Sequence, residues 1–122
     1  MFKSINELVK EAHSNAVAKG WWEEDRSFGE LIALMHSELS EALEDYRDGK
    51  PIDRNWYEKN GVRDNIQHAS DWKPCGVPSE LADVLIRVFD ACGRHGIDLE
   101  AAITEKMAFN ATRPQRHGGK VI

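Results

Sequence analysis

Apolar residues recur at helical spacing in four stretches of the chain. The first runs from about Ser4 to Lys19, where Ile5, Leu8, Val9, Ala12, Ala16 and Val17 form one stripe. Ser4 followed by Glu7 fits a capping box, and Gly20 is a stop signal. The second spans about Ser27 to Arg47. Leu31, Ile32, Leu34, Met35, Leu39, Ala42, Leu43 and Tyr46 give it a broad apolar face. Ser27 with Glu30 repeats the capping box, and Asp48-Gly49-Lys50-Pro51 breaks the helix. The third has Ser79 as its expected N-cap and runs from Glu80 to His95, with Leu81, Val84, Leu85, Val88, Phe89 and Cys92 expected inward. Asp98 caps the fourth, Leu99 to about Thr112, which ends before Arg113-Pro114.

Between the second and third helices, Pro51 to Pro78 follows no clear period. It holds Trp56, Tyr57 and Trp72 among polar residues, with Gly61, Pro74 and Gly76. A short helix around Trp56–Gln67 is compatible with this otherwise irregular stretch. A connection of this length inside one domain is usually functional or mobile. No internal repeat or low-complexity tract interrupts the pattern, and no strand alternation stands out. The reading is therefore all-α: one domain over residues 1–122, an irregular insertion at about 50–79 and a basic tail at about 114–122. A chain of 122 residues is long enough to bury a single core.

Charge narrows the possible partners. A net charge of −5 argues against binding of polymeric nucleic acid, which calls for a basic patch or stripe. Cys75 and Cys92 form no C-x-x-C pair, so a reducing, cytoplasmic setting is expected rather than a disulfide scaffold. Met1 to Glu7 lacks the apolar core of a secretory signal, and no stretch reaches transmembrane length. No membrane partner is expected.

The candidate chemistry lies in the acids. Glu38 with Glu41, and Glu80 with Asp83, are pairs three residues apart, so each pair shares one helix face. Asp45 extends the first pair by a turn. Both pairs sit inside apolar stretches, where carboxylates are costly unless a positive charge compensates them. Two readings stand at this point: solvated acidic faces, as most helical acids are, or a site for a hard, oxygen-seeking cation such as Mg²⁺. A basic face on the fourth helix, Lys106, Asn110 and Arg113, has the donor types that suit phosphate oxygens. It also has a plain alternative, cations complementing a helix C-terminus. Arg116, His117 and Lys120 extend that positive region, with Gly118-Gly119 allowing close approach. Trp22, Trp56 and Trp72 are candidate base contacts, although a tryptophan more often serves core or interface.

Specific missing residues remove other chemistries. His36 and Glu38 form H-x-E, and Pro74-Cys75 begins the P-C-x-x-C half of a zinc deaminase signature. Pro78 stands where its second cysteine is needed. No Glu has a His three residues later, which excludes the E-x-x-H pattern of di-iron bundles. There is no P-loop, G-x-G-x-x-G or nucleophile elbow.

Three segments together resemble the MazG-like all-α nucleoside triphosphate pyrophosphohydrolases: Ile32-Ala33-Leu34-Met35-His36-Ser37-Glu38-Leu39-Ser40-Glu41-Ala42-Leu43, Glu80-Leu81-Ala82-Asp83, and Lys106 to Pro114. The similarity extends from Lys19-Gly20-Trp21-Trp22 to the Arg116–Lys120 tail. The resemblance implies a four-helix bundle completed by homodimer or homotetramer formation. It implies hydrolysis of a nucleoside triphosphate, a dNTP or non-standard NTP, to the monophosphate and pyrophosphate. Glu38, Glu41, Glu80 and Asp83 would be the catalytic metal ligands for Mg²⁺, with Mn²⁺ as a substitute, and Glu38 could instead orient the attacking water. Lys106, Asn110 and Arg113 would bind the phosphates, and Asp45 and Asp90 would stand behind the ligands. The stretch from Glu41 to Glu80 is longer than in the smallest MazG-like domains, consistent with an insertion over the site. A non-catalytic nucleotide-binding or protein-interaction module of the same fold is the alternative function.

Overall fold

The computed structural model of the protein describes residues 2–114. Four α-helices carry it: α1 (Ile5–Ala18), α2 (Phe28–Arg47), α3 (Val77–His95) and α4 (Leu99–Ala111). A single 3₁₀ turn at Trp21–Glu23 links α1 to α2. Both capping boxes form. Ser4 Oγ accepts the Glu7 N–H at 3.1 Å while Glu7 Oε1 accepts the Ser4 N–H at 2.9 Å. Ser27 and Glu30 repeat the exchange at 3.1 and 3.2 Å. Asp98 Oδ1 accepts the Ala101 N–H at 3.1 Å and starts α4. Such caps contribute about 1 kcal/mol each by satisfying N–H groups that the helix itself leaves free.

The start of α3 differs from expectation. Its N-cap is Gly76, not Ser79, because the preceding strand runs directly into the helix and Pro78 fits its first turn, where no N–H is needed. Ser79 instead ties the two elements together: its N–H donates to Asn55 Oδ1 at 3.0 Å and its hydroxyl to the Pro74 carbonyl at 3.2 Å. Gly76 has a φ of 106°, and a Cβ there would lie 3.2 Å from both the Arg54 carbonyl oxygen and Trp56 Cδ1. Only glycine suits that crossing.

The all-α expectation is also corrected. Instead of a helix over Trp56–Gln67, the insertion folds into β1 (Trp56–Lys59), β2 (Val62–Asp64) and β3 (Lys73–Cys75), antiparallel in the order β2-β1-β3. Lys59 pairs with Val62 and Trp56 with Cys75. The intervening Asn60 and Gly61 have φ of 50° and 81°. Both are positive, as the tight type I′ hairpin turn requires. The chain is thus mostly helical with one small sheet. No helix of the described residues is long and apolar enough to cross a membrane.

α3 is the central element, packed against both α1 and α2, while α4 rests on α1. Val9, Phe89 and Cys92 form the buried cluster, with Ile5, Leu8, Ala12, Val88 and Leu99 around it. Asn6 locks α1 to the start of α4, donating through Nδ2 to Asp98 Oδ1 at 2.9 Å and accepting the Glu100 N–H at 3.2 Å. Several residues expected inward are open instead: Leu39 is 50% exposed, Leu43 51%, Tyr46 62% and Leu85 53%, and Leu81 is exposed with them. The apolar stripe of α2 is wider than the seam that α3 covers, and that of α3 is wider than its seams with α1 and α2. Leu31 and Ala42 of α2 are buried.

Gly93 marks the closest approach of α3 to α1, since a Cβ there would fall 2.6 Å from the His13 Cβ and 3.3 Å from the Val9 carbonyl oxygen. Gly93→Ala is therefore expected to lower stability by about 1–3 kcal/mol, despite a helix-propensity gain of about 1 kcal/mol. Urea unfolding measures the change, and a variant as stable as the parent contradicts this packing.

Candidate metal and nucleotide site

The polar residues of α3 form one stripe, Glu80, Asp83, Arg87, Asp90 and Arg94, at intervals of three and four along the helix. Opposite them, α2 presents Glu38, Glu41 and Asp45. Packing of the two helices brings one carboxylate oxygen from each of Glu38, Glu41 and Glu80 within 4.8 Å of the others. Asp83 stands outside this trio but lines a cleft together with Glu38. Three of the four expected ligands therefore converge directly, and the fourth borders them. His36 is exposed and takes no part in the trio.

Crowded carboxylates resist ionisation. Burial pushes the Glu80 carboxyl up to about 7, helped by a hydrogen bond with Glu41 and by the charges of Glu41, Asp83 and Asp45. Glu41 is raised first by its hydrogen bond with Glu38, then by burial and by the Glu38 charge. Asp83 is raised by burial and by Glu38, against the opposing pull of Arg87 and Lys73. Among the described residues, one cation makes direct contact: Arg87 Nε donates to Glu38 Oε1 at 2.7 Å.

The donor set fits a hard divalent ion. All the converging atoms are carboxylate oxygens. Carboxylate oxygens are the ligand type that hard ions such as Mg²⁺ prefer. Glu38, Glu41 and Glu80 would hold such an ion, with Asp83 in reach of the same cleft.

That cleft has a volume of about 790 Å³, within the range of about 300–1,000 Å³ usual for small-molecule sites. Leu8, Ala12 and Ala16 of α1 supply an apolar wall, while Lys19, Arg26 and Arg87 add positive charge beside Glu38 and Asp83. Trp21 also lines it, with the Arg26 guanidinium 3.7 Å and that of Arg87 5.0 Å from its ring centre. Asp90 is buried at its edge, its Oδ1 accepting from Trp22 Nε1 at 2.9 Å and bonded to His13 Nδ1 at 2.8 Å.

The other expected contacts lie elsewhere. Lys106, Asn110 and Arg113 sit on or just beyond α4, whose packing partner is α1, and no bond among the described residues joins them to the acids. Lys106 and Arg113 instead flank the ring of Phe109. Arg116, His117 and Lys120 lie outside the described residues. Trp22 is held by Asp90 and Arg94, Trp56 lies in the sheet between Lys50 and Arg63, and Trp72 packs on His68. None of these three tryptophans lines the cleft. Lys19, Trp21, Arg26 and Arg87 line the cleft without having been among the expected site residues. Arg87 had a signal, because it follows Asp83 by four residues and so shares the acidic face.

Comparisons with protein-family models, with curated proteins and with solved structures found no match.

A carboxyl held up to about 7 in the fold, against an ordinary value of 4.5, binds its proton more tightly folded than unfolded. Stability of the metal-free protein is then expected to fall as pH rises from about 4.5 to about 7. The raised Glu41 and Asp83 act in the same direction. Melting temperatures in EDTA should be lower at the upper end of that window, and Glu80→Gln should flatten the slope. A slope of opposite sign would count against the crowded arrangement.

Proposed function

We propose that the protein is a Mg²⁺-dependent nucleoside triphosphate pyrophosphohydrolase of the MazG-like kind, releasing pyrophosphate and a nucleoside monophosphate. The observation that carries this reading is the convergence of Glu38, Glu41 and Glu80 within 4.8 Å, next to a cleft that Glu38 and Asp83 line together with Lys19, Arg26 and Arg87. The sequence resemblance supplies the reaction type. When bound, Mg²⁺ would supply charge neutralisation and Lewis-acid polarisation of a phosphoryl oxygen, and would lower the pKa of water. Glu38, Glu41 and Glu80, with Asp83 beside them, would hold it. An unprotonated carboxylate among them also serves to accept a proton from the attacking water. Lys19, Arg26 and Arg87 line the volume that a nucleotide would fill and offset its phosphate charge. Lys106, Asn110 and Arg113 fit a phosphate-binding role if a second copy brings α4 to the cleft.

Assembly belongs to the same proposal. Leu39, Leu43 and Tyr46 on α2, Leu81 and Leu85 on α3, and Met107 and Phe109 on α4 are all exposed in one chain. Burying such faces against a second copy would stabilise a homodimer or homotetramer. Light scattering should give a dimer or larger, and Leu43→Lys should shift it toward monomer. A monomeric parent protein at micromolar concentration contradicts the assembly.

Turnover is tested with a panel of canonical and modified nucleoside triphosphates and a pyrophosphate readout. At least one substrate should be consumed in a Mg²⁺-dependent way. Glu41→Gln and Asp83→Asn should each lower kcat/KM by about 100-fold or more, since even loss of an outer partner of a metal ligand costs about 10–100-fold. Intact activity in both variants refutes the ligand assignment. Nucleotide binding without product favours the non-catalytic module.

A further inference from the structure

We propose that Arg87 is a built-in counter-cation that competes with the divalent metal for Glu38. The inference rests on the metal reading above and adds a residue that opposes the metal. Among the described residues, Arg87 makes the one hydrogen bond from a cation to any of Glu38, Glu41, Glu80 and Asp83. Its Nε lies 2.7 Å from Glu38 Oε1, and the Glu38 side chain is only 14% exposed. Lys73 is felt by Asp83 through its charge but forms no bond with it.

An ion seated among Glu38, Glu41 and Glu80 must draw on Glu38. Either it takes Oε1 and displaces the guanidinium, or it binds the other oxygen and faces a positive group across one carboxylate. Both routes set +1 against +2 at short range, which costs metal affinity. Arg87 has somewhere to remain. Its guanidinium already lies 5.0 Å from the Trp21 ring centre, in the lining of the cleft. In the metal-free protein it neutralises part of the charge that α2 and α3 bring together. Once released from Glu38, it stays in the cleft as a positive group available to a phosphate.

Removing the charge is therefore expected to tighten metal binding, the opposite of what loss of a merely supporting residue does. Mn²⁺ titrated into the nucleotide-free protein, followed by calorimetry, compares the parent with Arg87→Gln and Arg87→Lys. Arg87→Gln should bind Mn²⁺ about tenfold more tightly, and Arg87→Lys should stay near the parent. Circular dichroism checks that each variant is folded. A measurement on the unsubstituted protein is independent of folding defects: the arginine Nε–H resonance of Arg87, protected by Glu38, should shift or lose protection on saturation with Mg²⁺. Equal or weaker Mn²⁺ binding in folded Arg87→Gln, or an Arg87 resonance unmoved by saturating Mg²⁺, overturns the role of Arg87 while leaving the metal site intact. Absence of metal binding in the parent and both variants overturns the metal reading, and this inference with it.

Discussion

Like charges forced together at the seam of α2 and α3 are the constraint on which the rest of this structure turns. The seam buries Leu31 and Ala42, and its packing half-buries Glu38, Glu80 and Asp83 beside the exposed Glu41. Three means of relieving the repulsion are open: a proton, a cationic side chain or a metal ion. The first appears in Glu80, held up to about 7. The second appears in Arg87, bonded to Glu38. The third, a divalent ion, would replace both at once.

The surrounding elements make sense as supports for that seam. α1 closes on the far side of α3 at Gly93, and the buried Asp90 ties His13 and Trp22 to the same helix. The sheet anchors the first turn of α3 through Asn55 and Ser79, one residue before Glu80. Position at the cleft thus depends on contacts made far apart in sequence.

How much was legible in the sequence follows from how local each signal is. Ser4 with Glu7 and Ser27 with Glu30 are complete within a single turn, and the starts of α1 and α2 fell where those residues stand. The acid pairs were readable for the same reason, since spacing alone puts two carboxylates on one face. Asn60-Gly61 was an equally local hairpin signal, but strands of three and four residues carry too little alternation to draw attention to it. Ser79 looked like a cap because nothing local shows that Asn55 and Pro74 claim its polar groups. The inward assignment of Leu81 and Leu85 failed differently: an apolar stripe says that a face seeks cover, not which chain provides it. The cleft drew on residues from four separate stretches of sequence, and no spacing rule links Lys19 or Arg26 to Glu38 and Arg87.

The most direct test of the account is anomalous diffraction from crystals of the protein soaked in Mn²⁺. The account predicts a manganese peak bonded to carboxylate oxygens of Glu38, Glu41 and Glu80, at distances of about 2.2 Å typical of hard-cation ligation. The Arg87 guanidinium is expected either to have left Glu38 Oε1 or to face the ion across the same carboxylate. Crystals with saturating Mn²⁺, no peak among these acids and the Arg87–Glu38 bond unbroken would contradict it.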